Sequence, residues 1–87
     1  MGRVVSVRYF AWVRERIGKA EETVEVPDEV TTARDLVFWL KGRGEEYDYA
    51  LEKPEVIRVA FDQMHVEPEA GLEGVREIAL FPPMTGG

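Results

Sequence analysis

One stretch of the chain has the spacing of a helix that is apolar on a single side. Four apolar residues recur there at i, i+3, i+4 and i+7, namely Ala33, Leu36, Val37 and Leu40. Thr32 precedes them, where it can cap the free amides of the first turn, and Asp35 lies near the positive end of the helix dipole. Gly42 or Gly44 is predicted to end the helix in the left-handed conformation. Such a helix must bury its apolar stripe, so the rest of the chain has to supply a cover.

The predicted cover is a β-sheet. Apolar and polar residues alternate, as is typical of half-buried strands, in Arg3–Phe10, Thr23–Val26, Val56–Asp62 and Arg76–Phe81. A tight turn at Asp62–Gln63 leads to a short returning strand, Met64–Val66. In the last strand, Ile78 and Leu80 are predicted to face one way, with Ala79 and Phe81 facing the other.

The segments between these elements are less regular. Ala11–Gly18 has the spacing of a short helix or turn closed by Gly18. Glu45–Pro54 mixes tyrosines and glutamates without a clean period, which predicts a loop with one helical turn around Tyr49–Leu51. Leu72 is the one obvious anchor of the turn-rich connection before the last strand. The order of elements predicts an α+β roll of the ubiquitin-like β-grasp type, in which one main helix crosses a mixed sheet of four to five strands.

Composition excludes several classes of function. The 87 residues include no cysteine, which excludes a thiolate nucleophile and the usual zinc clusters. Seventeen acidic against eleven basic residues give a net charge of −6, which opposes binding to nucleic acid. No apolar run approaches the about 20 residues that span a bilayer. We therefore expect a cytoplasmic protein with no nucleic acid, no membrane, no metal and no bound cofactor.

No group of side chains predicts catalysis by this chain alone. His65 is the only histidine and is interpreted as an exposed strand residue rather than a metal ligand. Five acidic residues on and around the second strand are interpreted as a solvated or partner-facing surface: Glu21, Glu22, Glu25, Asp28 and Glu29. The chain contains no nucleotide-binding glycine motif and no arguable nucleophile–base pair.

The distinctive chemistry lies at the C-terminus. Residues 1–81 are predicted to form the domain, and residues 82–87 an extended, flexible tail that ends in Gly86–Gly87. Pro82 and Pro83 fix two φ angles and remove two backbone donors, which disfavours a helix or a ladder. Glycines have no Cβ and can pass a narrow slot. At about 3.3 Å per residue the tail reaches about 20 Å, so its carboxylate is predicted to react inside another protein.

The run Glu77–Gly87, with its Phe-Pro-Pro and terminal Gly-Gly, resembles the C-terminus of the small subunit of molybdopterin synthase, the MoaD-type sulfur carriers of the MoaD/ThiS family. Tyr9–Glu15, Gly18–Glu22 and the helix start Thr31–Leu36 are also similar to that family. The resemblance covers nearly the whole chain and implies the ubiquitin-like β-grasp fold.

The resemblance implies that this chain carries sulfur. In such proteins a ubiquitin-activating-like enzyme uses ATP to adenylate the terminal glycine, here Gly87, and a persulfide converts it to a thiocarboxylate. The tail then enters the large subunit of molybdopterin synthase, which converts cyclic pyranopterin monophosphate to a dithiolene. Gly86 passes the narrow entry, Met84 and Thr85 belong to the inserted segment, and Phe81 with Pro82 and Pro83 sets the exit direction. Catalytic side chains are expected on the partner, so this chain is the donating subunit of a sulfurtransferase.

Docking is predicted to use an apolar patch of Phe81, Ala79 and Phe10, because these residues lie opposite the core-facing set.

Three alternatives to the function implied by the resemblance stay open. The first is a sulfur carrier for thiamine thiazole synthesis or tRNA thiolation. The second is a ubiquitin-like modifier joined to lysines through Gly87, and the third is an interaction module with an inert tail.

Overall fold

The structure, a computed structural model, describes residues 2–83. Within this range the strands are β1 (Arg3–Tyr9), β2 (Glu21–Val26), β3 (Arg58–Phe61), β4 (Met64–Val66) and β5 (Glu77–Phe81). The α-helices are α1 (Ala11–Ile17), α2 (Ala33–Lys41) and α3 (Glu45–Ala50), and a short 3-10 helix covers Pro54–Val56.

The strands form one mixed sheet in the order β2-β1-β5-β3-β4. β1 runs antiparallel to β2 and parallel to β5, whereas β3 runs antiparallel to both β5 and β4. The last strand therefore lies beside the first, in the middle of the sheet. This arrangement confirms the predicted ubiquitin-like β-grasp roll, with five strands.

The core lies between one face of the sheet and the helices. The predicted inward residues of β1 and β5 are all buried, namely Val5, Val7, Tyr9, Ile78 and Leu80. The apolar stripe of α2 packs into the same cluster and is buried at every predicted position. Leu72 is also buried there and anchors the long connection to β5. Period alone thus predicted which side of each main element faces the core.

The two ends of α2 differ in how well they were predicted. Thr32 caps the helix as expected, because its hydroxyl oxygen accepts a hydrogen bond from the Asp35 N–H at 3.1 Å. The left-handed stop was wrong, since Gly42 has φ −84° and Gly44 has φ 167°. The Gly42 N–H instead donates to the Trp39 carbonyl at 3.2 Å. The chain thus ends α2 in a tightened turn and enters α3 within a few residues.

The predicted loop over Glu45–Pro54 was also wrong. Its first six residues form α3, and the last begins the 3-10 helix. Tyr47, Ala50 and Leu51 are buried at the spacing i, i+3 and i+4. Such a short helix shows its apolar side only once, so the sequence offers no period to recognise.

Three strands begin away from their predicted positions, and β1 and β3 each end one residue early, at Tyr9 and Phe61. β2 begins at Glu21 rather than Thr23, because Glu21 and Glu22 pair with Arg8 and Val7. β3 begins at Arg58, after the 3-10 helix has taken up Val56, and β5 begins one residue late.

The Asp62–Gln63 turn is confirmed and has a second role. Both residues have left-handed φ angles, 48° and 74°, as two-residue hairpins of this kind require. The Asp62 carboxylate accepts hydrogen bonds from the backbone N–H groups of Arg76 and Glu77, at 3.2 Å and 2.9 Å. The turn therefore holds the start of β5, the strand that leads to the tail.

Glu22 is the exception in the acidic group. The other four members are exposed as expected, but the Glu22 side chain is only 14% exposed. Its carboxylate accepts hydrogen bonds from the hydroxyls of Tyr9 and Tyr47, both at 2.6 Å. Arg43 and Lys19 lie 3.2 Å and 3.5 Å from its oxygens. The interpretation of Glu22 as a solvated or partner-facing residue was therefore wrong, because tertiary packing brings four donors to it.

The pKa values in this cluster follow from its geometry. Burial alone would raise the pKa of Glu22, but the hydrogen bonds from Tyr47 and Tyr9 and the charges of Arg43 and Lys19 together lower it. Burial, together with the hydrogen bond to Glu22, raises the pKa of Tyr9, so this phenol stays a donor. The cluster joins β1, β2 and α3 as a structural brace.

Within residues 2–83, no helix combines the length and the apolar character needed to cross a bilayer.

A matched pair of substitutions in β1 tests which face of the sheet is the core. Val7 is fully buried and Val4 is 67% exposed. We expect Val7→Ala to lower the free energy of unfolding by about 2–3 kcal/mol, through lost burial and a residual cavity. Val4→Ala should change it by less than about 0.5 kcal/mol. Urea denaturation measures both, and equal effects would contradict the assignment of faces.

The brace predicts a pH-dependent stability. The folded-state pKa of Glu22 is below the ordinary value of 4.5, so its contribution is present above that value and is lost as the pH falls through the folded pKa. We expect Glu22→Gln to reduce the free energy of unfolding by about 1–3 kcal/mol at pH 7. The gap from wild type should narrow as the pH falls below 4.5 and through the folded pKa of Glu22.

Denaturation at pH 7 and pH 3 measures this gap. Glu25→Gln is the control, because Glu25 is an exposed glutamate of the same strand. A gap that stays constant with pH, or one that the control reproduces, would contradict the role of Glu22.

Candidate functional site

The central strand β5 carries the candidate site on its outward side. Ala79 and Phe81 alternate with the buried Ile78 and Leu80, and both stay partly exposed outside the core. β5 lies between β1 and β3, so these side chains stand in the middle of the open face of the sheet. Neither side chain is buried in the core of the domain, as an interface role requires.

Phe10 lies beside Phe81 because β1 and β5 run parallel. The Phe10 N–H donates to the Leu80 carbonyl at 3.1 Å. The two phenyl rings meet edge to face, with centroids 6.5 Å apart. Ala11 then takes a left-handed φ of 53°, which turns the chain from β1 into α1 and leaves Phe10 42% exposed at the end of the strand. The structure thus brings together the three residues predicted for docking.

Two further residues complete this surface. His65 on β4 is exposed, as predicted, and its ring centroid lies 5.0 Å from that of Phe81. Ala60 pairs with both His65 and Ala79. It is only 6% exposed yet does not belong to the core cluster, which fits a small side chain on the open face covered by its neighbours. We call Phe10, Ala60, His65, Ala79 and Phe81 the aromatic face.

Sequence reasoning missed the place of His65 and Ala60 in this surface. The alternation of residues in its strand predicted that Ala60 lies on the face away from the core. No other feature of the sequence indicated that it belongs to this surface. The pairing of β3 with β4, which brings His65 next to Ala60, is a matter of register. The prediction therefore found only part of the surface.

The tail begins at the edge of the aromatic face. Pro82 and Pro83 follow Phe81 outside any regular element and are partly exposed. Pro83 also borders a groove of about 700 Å³ between α2 and the β3–β4 edge of the sheet. The predicted roles of Met84, Thr85, Gly86 and Gly87 fall on residues outside the described range, so they stay predictions.

The described residues offer a binding surface rather than a catalytic set. Within residues 2–83, no three or more His, Cys, Asp or Glu side chains are placed to hold a metal ion. In the Glu22 brace, each carboxylate oxygen and the phenols of Tyr9 and Tyr47 already have hydrogen-bond partners.

Comparisons with known proteins agree with this geometry. Residues 7–87 match the model of the ThiS family. The molybdopterin synthase sulfur carrier subunit of Haemophilus influenzae is 34% identical, over 97% of this chain and 100% of its own length. The subunit of the same name from Caenorhabditis elegans is 36% identical, over 95% and 96%.

Among solved structures, the crystal structure of SAMP1 from Haloferax volcanii superposes with a TM-score of 0.72 at 26% identity, covering 98% of this chain and 100% of that one. Sequence and structure thus agree over nearly the full length. The chain therefore belongs to the ThiS/MoaD family.

Proposed function

We propose that this chain is the sulfur carrier subunit of a molybdopterin synthase, and that its C-terminal glycine carries the sulfur as a thiocarboxylate. The observation that carries this proposal is the near full-length similarity to proteins named as that subunit, together with a family match that runs to Gly87. The terminal Gly86–Gly87 supplies a carboxylate with no side chain around it.

The proposed reaction begins on a partner enzyme. A ubiquitin-activating-like enzyme joins the Gly87 carboxylate to AMP from ATP and releases pyrophosphate. The outer sulfur of a persulfide then displaces AMP to give an acyl disulfide. A thiol reductant attacks the inner sulfur of that bond, forms a new disulfide and releases the thiocarboxylate. The large subunit of the synthase receives the tail and uses the sulfur to build the dithiolene on cyclic pyranopterin monophosphate. This chain acts as a tethered substrate, and the partner supplies the catalytic side chains.

The described residues support such a role by positioning the tail. β5 is paired on both sides, and Asp62 holds its first residues, so the root of the tail has a fixed place on the domain. Pro82 and Pro83 restrict the direction in which the chain leaves. The aromatic face lies directly beside this exit, where a protein that encloses the tail would cover it. Large aromatic side chains are frequent anchors of such interfaces.

A second candidate function is that of a ubiquitin-like modifier. It is favoured by the similarity to SAMP1, a protein named as a small archaeal modifier. A modifier would use the same activated Gly87 but transfer it to lysine amines of other proteins. A carrier for thiamine thiazole synthesis or tRNA thiolation would use the same thiocarboxylate with another acceptor.

Mass spectrometry of the intact protein tests the proposed chemistry. We expect incubation with an activating enzyme, ATP and a persulfide source to replace one oxygen by sulfur. Deleting Gly87 should abolish this change. The melting temperature of the shortened chain should stay within about 2 °C of wild type, because the core cluster is built from residues between Val5 and Leu80.

The products separate the candidates. Conjugates of higher mass would favour the modifier, and an unchanged mass would contradict both functions. The charged protein is then mixed with the large synthase subunit and pyranopterin substrate. Failure to form a dithiolene there would contradict the assignment to molybdopterin synthesis and leave the other sulfur carriers.

Replacing an aromatic side chain of the aromatic face by alanine is expected to weaken binding to the partner. We expect Phe10→Ala to weaken binding to the large subunit by about tenfold or more, because an aromatic anchor is lost from the contact. Tyr49→Ala is the control, since Tyr49 is a similarly exposed aromatic residue, 54% against 42%, on α3. Titration calorimetry measures both. Equal effects would show that the aromatic face is not the docking surface.

A further inference from the structure

The aromatic face includes one polar ring, the imidazole of His65, which has no side-chain hydrogen-bond partner among the described residues. His65 is exposed and packs edge to face on Phe81, with ring centroids 5.0 Å apart. No side-chain hydrogen bond within residues 2–83 involves its imidazole. Because the ring is exposed, it is open to solvent in the free domain. A partner that covers Phe81 would take it out of solvent.

Arg58 lies on β3, between Phe81 on β5 and the strand β4 that carries His65. It pairs directly with Phe81 across β3 and β5, and its side chain is exposed. Arg58 and His65 also border the groove that includes Pro83, so both flank the root of the tail. Arg58, by its register with Phe81, and His65, by its ring contact with Phe81, thus place N–H donors on the same face of the sheet.

Three other charged residues border the groove beside these two donors. Arg34 borders the same groove but is paired with Glu69 at 3.3 Å. Glu55 and Glu67 also border it, yet no ion pair within residues 2–83 includes Arg58. Arg58 therefore remains a cation without an intramolecular pair in this part of the chain. Its guanidinium has donors only, so it can be satisfied only by an acceptor.

Covering these donors has a physical consequence. A buried donor left without an acceptor weakens binding by about tenfold, and by more when the donor is charged. A carboxylate has two oxygens and can accept from a guanidinium and an imidazole at once. A purely apolar surface laid on Phe81 would leave both donors unsatisfied. The geometry thus favours an acidic residue in the partner at this point.

We propose that the protein that receives the tail presents a carboxylate to Arg58 and His65, and that this contact selects the partner at the root of the tail. The inference rests on the proposed function, because it names a feature of the same docking surface. It goes beyond that function by adding a charged contact to the apolar one.

The test uses the full-length chain and the large subunit of molybdopterin synthase from the same organism. We expect His65→Leu and Arg58→Met each to weaken binding by about tenfold in titration calorimetry. The double variant should lose much less than the product of the two effects, because both donors serve one carboxylate. His65→Gln keeps an N–H donor and should recover most of the affinity.

Arg14→Met is the matched control, since Arg14 is an exposed arginine of α1 with no ion pair among the described residues. It should bind as wild type does. Melting temperatures of all variants should match wild type, which separates a contact with the partner from damage to the fold.

The partner side supplies the second measurement. Replacing each surface Asp or Glu of the large subunit by Asn or Gln should reveal one position whose loss weakens wild-type binding but not binding of the double variant. If no position behaves so, or if His65→Leu and Arg58→Met bind within twofold of wild type, the inference is overturned while the proposed function stands. If the wild-type chain itself does not bind the large subunit, both fail together.

Discussion

The parallel pairing of β1 with β5 is the contact on which the rest of the structure depends. It places the last strand of the domain in the middle of the sheet, where backbone hydrogen bonds hold it on both sides. A strand at the edge would leave half of these groups unpaired. Because β5 is central, the chain that leaves after Phe81 begins from a fixed point, and the residues around that point come from β1, β3 and β4.

With this topology, the sheet has one face that packs against the helices and one open face. One face carries the core, and the Glu22 brace ties β1 and β2 to α3 on the helical side. The residues of the aromatic face lie on the open side of the sheet, where the small side chain of Ala60 lies between larger ones. The core and the aromatic face therefore use separate side chains of the same strands. Under the proposed function, a change on the aromatic face alters binding without loosening the fold.

The proposed chemistry explains why the described residues show no catalytic arrangement. When the reacting group is a main-chain carboxylate, the domain needs to present it and to be recognised. A polar pair such as Arg58 and His65 beside Phe81 suits recognition, because unsatisfied donors penalise a partner without a matching acceptor. Apolar contact alone discriminates less well between partners.

The amino-acid sequence by itself determined which side of each long element is buried, since the periods of 2 and 3.6 are local properties of the chain. It also predicted Phe10, Ala79 and Phe81 as outward residues, and a reacting glycine carboxylate that lies outside the described range and stays a prediction. Only the tertiary structure decided that α3 is a helix, that Glu22 is enclosed by two tyrosines, and that His65 lies against Phe81. These features depend on contacts between residues far apart in the chain, and no local period encodes the register that creates them.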